Sequence, residues 1–191
     1  KTSNLKPFAR LPINSLNLRQ TQVEDLSALA RMPLRELHLS YSSVRDLTPL
    51  HTRPLRTLTV AFSPVESIEP LAGAPLVHLI LSSTRVKDLS PLEKMPLQTL
   101  HLDRTPITNL KALTGLPIRE LRLDGCDQLT EFSPLAECLE LETLILPAHA
   151  NNVEFLKKLP NLKRLSYRYD PNHTHIESAA DFWRTWQCPL R

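Results

Sequence analysis

The chain has 191 residues, with 23 Lys plus Arg against 20 Asp plus Glu, so its net charge is only +3. That balance excludes the basic footprint of a nucleic-acid binder, which gathers its cations on one face. No apolar run reaches the roughly 20 residues that a membrane span requires, and the first residues do not read as a signal peptide. The three cysteines are irregularly spaced and give no disulfide framework. Cys126 and Cys138 read as small buried hydrophobes in a reducing compartment, and Cys188 as a free terminal thiol.

The start of the chain already lies inside a periodic pattern, because Leu5 and Phe8 stand one 21-residue period before Leu26 and Leu29. Terminal units of such arrays normally carry a cap. None is legible here and there is no initiator Met, so the expectation is a piece of a longer protein opening on a partial repeat, residues 1–11. From there Pro12, Pro33, Pro54, Pro75, Pro96 and Pro117 recur every 21 residues. Leu16, Leu37, Leu58, Leu79, Leu100, Leu121, Leu144 and Leu165 follow them with a single two-residue insertion before Leu144. A fixed short period means a solenoid, in which each unit buries its apolar face only by stacking on its neighbours.

Within the unit from Pro75 to Leu92, Leu76, Leu79 and Leu81 predict a short strand with one buried face. Val86, Leu89 and Leu92 are spaced by three, which predicts a tight helical turn. Ser90 before Pro91 reads as an N-cap, with Thr48-Pro49 and Ser133-Pro134 repeating the device and Ser27 filling the slot without proline. With only three glycines, Gly73, Gly115 and Gly125, the turns are expected to rely on proline and side-chain caps.

These residues resemble the leucine-rich repeat family over about residues 5–167. Its pattern is matched by Leu76-x-x-Leu79-x-Leu81-x-x-Thr84-x-Val86. The family's asparagine is replaced by Thr21, Ser42, Ser63, Thr84, Thr105 and Cys126, whose side chains are expected to satisfy similar backbone groups more weakly. The resemblance implies an α/β solenoid: a right-handed superhelix with a concave parallel β-sheet, short 3-10 or helical turns on the convex side, and a C-terminal capping helix. The S/T-P-L device looks like bacterial forms, including the internalin-like subclass. Asn152 to Leu156, Leu159 to Tyr167 and Asp181 to Trp183 are similar to the repeat regions of planctomycete-type bacterial serine/threonine kinases, whose kinase lies upstream.

Repeats are thus expected over residues 12–169 and a cap with a helix over residues 170–191. There Thr174 to Glu177 fits a capping box, and Ile176, Ala179, Ala180 and Trp183 fall on one helical face flanked by Phe182 and Trp186. The main reading is a helix laid over the open end of the stack, the rival an amphipathic partner-binding helix. His173 and His175 read as a solvated loop, since no Cys or carboxylate stands at ligand spacing.

No phosphate loop, nucleophile elbow or metalloprotease motif is present. The expectation is therefore a non-enzymatic chain without cofactor or metal, whose function sits on a surface. Outward strand positions follow from the period, among them the columns containing Thr59, Ile145 and Ser166, or Gln20, Tyr41, Phe62, Ser83, Arg104 and Gly125. Tyr41 and Phe62, with His38 and Ile80 close by, form a candidate hot spot of neighbouring exposed aromatics. His101, Asp103, Arg104, Arg122 and Asp124 add charges of both signs that could register a protein partner. The competing reading is an ordinary strand surface, since sheets favour aromatics, with binding on the convex side or an edge.

The expected partner is a protein, with no nucleic acid and no membrane insertion, and the chain is expected to be monomeric. A cytoplasmic location is expected, with a secreted or surface one as the rival. The alternatives in function are a substrate-positioning or regulatory region of a serine/threonine kinase and a secreted internalin-like adhesion module.

Overall fold

The computed structural model describes residues 5–8, 11–167 and 178–185. Eight three-residue strands form one parallel sheet in sequence order: β1 Ser15–Asn17, β2 Glu36–His38, β3 Thr57–Thr59, β4 His78–Ile80, β5 Thr99–His101, β6 Glu120–Arg122, β7 Thr143–Ile145 and β8 Arg164–Ser166. The period is also the register, so Leu58 pairs with Leu79 and Leu79 with Leu100. Between β6 and β7, Leu121 pairs with Leu144. The chain absorbs the two extra residues by lengthening two bends, Cys126 to Leu129 and Cys138 to Leu141, whose end residues all stay buried.

The strands are short because only the central leucine of each points into the stack. Leu37, Leu58, Leu79, Leu100, Leu121, Leu144 and Leu165 are all 0% exposed, and burying each contributes about 1.5–3 kcal/mol. Leu16, on edge strand β1, is half-buried. Opposite the sheet, eight short 3-10 turns stack along the other side, for example Thr48–Leu50, Ser90–Leu92 and Lys111–Leu113. The molecule is a solenoid with its strands on the concave face.

The 3-10 turns are not capped by the hydroxyls that the sequence suggested. No residue at the N-cap makes a side-chain cap bond in the Thr48–Leu50 and Ser90–Leu92 turns. Instead the residue two places before each turn accepts the backbone N–H of the turn's first residue. The Ser27 N–H donates to Asp25 at 2.7 Å, Thr48 to Asp46 at 2.8 Å, Ser90 to Asp88 at 2.8 Å and Ser133 to Glu131 at 2.8 Å. Ser67 and Asn109 do the same for Glu69 and Lys111. The Ser27 and Ser90 hydroxyls donate to Asp25 and Asp88, so they brace the cap without being it.

The hydroxyls at the expected asparagine position mostly turn inward on their own repeat. Thr21 donates to the Leu18 carbonyl at 2.7 Å, Thr84 to Leu81 at 2.7 Å, Thr105 to Leu102 at 2.6 Å, and Ser63 to Val60. Only the Cys126 thiol reaches across to another repeat's carbonyl among these, donating to Leu102 at 3.0 Å.

Two tight bends close each regular repeat, and both use left-handed backbone except after the Ser27–Leu29 turn, where Arg31 does not adopt it. After the strand, the Ser42 N–H donates to Leu39, Thr84 to Leu81 and Thr105 to Leu102, each at 3.1 Å, around Tyr41, Ser83 and Arg104 at positive φ. After the 3-10 turn, Arg53 donates to Leu50 and Met95 to Leu92 at 3.1 Å, around Thr52 and Lys94 at positive φ. A left-handed residue in third place is the geometry of a type II turn, where glycine is normally preferred. The expectation that the turns rely on proline and side-chain caps is incomplete: eight non-glycine residues adopt left-handed backbone among the described residues.

At the far end, helix α1 (Ala179–Thr185) lies against β8. The Ala179 N–H donates to the Lys163 carbonyl at 2.9 Å, and Ser178 bridges Arg164 antiparallel. Ser178 and Asp181 cap the helix: the Asp181 N–H donates to the Ser178 hydroxyl at 3.0 Å, which donates back to the Asp181 carboxylate at 2.7 Å. The buried residue is Phe182, packed on Tyr167 at 5.0 Å between ring centroids. Ala179 and Trp183 are half-buried and Ala180 is exposed, which shifts the expected apolar face by part of a turn. The expected Thr174 to Glu177 capping box, Ile176, Trp186, His173, His175 and Cys188 lie outside the described residues.

Candidate binding surface

Along the concave side, the left-handed position after each strand carries Gln20, Tyr41, Phe62, Ser83, Arg104 and Gly125 in successive repeats. Each of the middle four is held by a backbone bond to the next repeat: Tyr41 N–H to Ala61 at 2.8 Å, Phe62 to Ser82 at 2.9 Å, Ser83 to Asp103 at 2.7 Å and Arg104 to Asp124 at 2.7 Å. The backbone therefore aims these side chains rigidly. Tyr41 and Phe62 stack with centroids 4.4 Å apart and planes 6° apart. That separation is close to the ~4.8 Å strand spacing, so the rings are stacked along the solenoid axis. They remain 48% and 45% exposed.

Beside the rings runs a groove of about 430 Å³, lined by eight of the nine sequence candidates: Tyr41, Phe62, Ile80, His101, Asp103, Arg104, Arg122 and Asp124. The ninth, His38, is not in the lining and sits 3.3 Å from the Thr59 hydroxyl through its Nδ1. Sequence reasoning did not single out Arg19, Ser40, Thr59, Ala61, Ser82 and Ser83, which complete the lining. Their signal was present in the period, since they occupy the same columns; what hid them was small size or ordinary polarity.

The charged end is internally organised. His101 Nε2 donates to Glu120 Oε1 at 3.0 Å, and Arg122 donates to the same oxygen from Nε at 2.8 Å and Nη2 at 2.6 Å. The His101 bond first, then those from Arg122, outweigh the cost of burial and hold the Glu120 carboxyl at about 2 instead of its ordinary 4.5. Glu120 is not among the candidates that the sequence singles out. The register puts it opposite Thr99 and diagonal to His101, which is how it joins the cluster. Ser82 donates to Asp103 Oδ2 at 2.8 Å, while the buried Oδ1 has no hydrogen-bond partner among the described residues.

Not every outward column faces water. Thr59, Ile145 and Ser166, three members of one outward column, are buried. Burial pushes the Cys126 thiol up, and the Cys138 thiol to about 11, so neither is an available thiolate near neutral pH. Among the described residues no cluster of three His, Cys, Asp or Glu side chains could hold a metal ion. No described helix is long and apolar enough to cross a membrane.

A one-sheet stack of short repeats, closed by 3-10 turns on one side and carrying an open polar-aromatic groove on the other, defines a solenoid repeat domain. The chain is similar to two solved internalins from Listeria monocytogenes str. 4b F2365. One, inlC2, is 30% identical with a TM-score of 0.71, over 76% of this chain and 66% of that one. The other, inlF, is 25% identical with a TM-score of 0.63, over 88% of this chain and 60% of that one. The chain therefore spans less than two thirds of either internalin. With its repeats and its sheet, this likeness gives the chain the leucine-rich repeat solenoid fold. No protein-family model and no curated protein matches it.

Proposed function

We propose that this chain is a protein-recognition module that docks its partner on the concave sheet, carrying no catalysis of its own. The observation behind this is the stacked Tyr41–Phe62 pair, nearly half exposed beside the groove. Exposed large rings offer contact area with few rotamers to lose on binding. Their backbone bonds to Ala61 and Ser82 reduce that loss further. The mixed charges of Arg104, Arg122, Asp103 and Asp124 set register, not raw affinity.

The test is retention of proteins on the immobilised chain, compared with Tyr41→Ala/Phe62→Ala and with an exposed convex control, Glu93→Ala/Lys111→Ala. A partner kept by the wild type and the control should be weakened by more than about 2 kcal/mol in the aromatic double variant. Equal retention by all three would move the interface off this face. The likeness to internalins favours an adhesion-type module over a kinase-associated one. The surrounding polypeptide decides between them: an upstream signal peptide marks the first, and a Gly-rich loop with an H-R-D motif marks the second. The location, surface or cytoplasmic, follows from the same choice.

A further inference from the structure

Successive residues in the left-handed column have very different sizes: Tyr41 and Phe62 are rings, Ser83 is small, Arg104 is long and Gly125 has no side chain. Tyr41 covers one face of Phe62. With the rings stacked along the axis, the other face looks toward the next repeat, where Ser83 leaves space. Arg104 does not fill that space. A Cβ on Gly125 would lie 2.8 Å from the Arg104 Cγ, so the arginine leans over Gly125, away from Ser83. Phe62 and Arg104 are two strand spacings apart, roughly 10 Å. A ring stacked on Phe62 takes about 3.5–4 Å of that and leaves roughly 6 Å, the reach over which a cation still attracts a ring face. One planar ring fits.

We propose that the slot above Ser83, between Phe62 and Arg104, receives one protruding aromatic side chain of the protein partner. It extends the Tyr41–Phe62 stack by one ring, and the long Arg104 side chain swings back from Gly125 over its far face. The polar groups of the slot disfavour other ligands. The Ser82 hydroxyl is committed to Asp103, whose remaining oxygen is buried, so neither offers a sugar ring a hydrogen bond.

This inference rests on concave-face docking but can fail separately from it. The isotope-labelled chain is titrated with N-acetyl-tryptophanamide, N-acetyl-leucinamide and methyl β-glucoside, following backbone amide shifts. The aromatic amide should shift Phe62, Ser83 and Arg104 saturably, with a dissociation constant on the order of millimolar for so small a ligand. The other two probes should bind at least fivefold more weakly. Ser83→Phe fills the slot, and Phe62 shows that a ring is tolerated at that backbone conformation. Ser83→Arg is a second filler, patterned on Arg104, which adopts the same conformation. Each should weaken the aromatic amide at least fivefold. Absence of shifts at these residues, equal binding in both Ser83 variants, or tighter binding of the glucoside would overturn the proposal. A silent slot with partner retention still lost in the Tyr41/Phe62 variant removes the slot alone. A filled slot with retention intact in that variant removes the docking.

Discussion

The two bends of the repeat have the same backbone and different side chains. After the 3-10 turn the left-handed place is taken by Thr52, Gly73, Lys94 and Gly115, so half of these four bends use glycine. After the strand the same kind of place is taken by Gln20, Tyr41, Phe62, Ser83, Arg104 and Gly125. A side chain in the left-handed region costs about 1–2 kcal/mol. The convex-side bend relieves that cost at Gly73 and Gly115. The concave-side bend places two large aromatics there, where almost half their surface stays in water. Core packing does not account for them, and backbone strain at such a place points toward function.

The sharpest way to test that contrast is to compare a ladder residue with a bend residue. Leu79→Ala opens a cavity in a fully buried column and should lower stability by about 2–5 kcal/mol in urea unfolding. Phe62→Gly loses a ring stack worth about 0.5–1.5 kcal/mol. It also relieves left-handed strain while adding unfolded-state entropy, so its net effect should stay within about 1 kcal/mol. If Phe62→Gly unfolds the protein as severely as Leu79→Ala, the ring is structural and the reading of the bend fails.

The ladder was legible because one side chain type recurs at one spacing: Leu58, Leu79 and Leu100 need no long-range information to be placed. The groove was legible in part, since the same period sorted Tyr41, Phe62 and Arg122 onto one face. What was not legible depends on backbone dihedrals and on diagonal neighbours. Nothing in Ser83 or Lys94 announces a positive φ. Asp88 looks like any solvated carboxylate until the following turn aims an N–H at it. Glu120 becomes a partner of His101 only through the sheet register. The shifted face of α1 has the same origin: Phe182 is buried by Tyr167, whose position no helical wheel contains.

The bend comparison also predicts gains. At Thr52 and Lys94 the side chains are exposed and sibling repeats already use glycine. Thr52→Gly and Lys94→Gly should each raise stability by about 0.5–1 kcal/mol, the strain relief less the entropy cost of glycine. Gly73→Ala and Gly115→Ala should each lower it by a similar amount, although a Cβ there meets nothing within 4 Å. Thermal midpoints moving in the opposite directions would show that these bends are not strained.

The smallest effect separates the two bends by pH. The caps that launch the 3-10 turns are carboxylates held below their ordinary values: Asp25 and Asp88 chiefly by backbone N–H bonds, Asp46 first by the Thr48 side chain. Glu131 is lowered from 4.5 by the Ser133 N–H. A carboxylate depressed in the folded state gives stability that is present above its unfolded value and lost as pH falls through its folded one. The urea midpoint should therefore be flat down to about pH 5 and fall below about 4.5, with Glu120 contributing down toward 2. Asp88→Asn keeps an oxygen for the Ser90 N–H but cannot titrate. It should cost a few tenths of a kcal/mol at pH 7, and the gap to the wild type should narrow as pH falls through the lowered Asp88 value and the wild-type cap is itself protonated. A gap that stays constant across that range would mean the cap acts through shape alone and its charge contributes nothing.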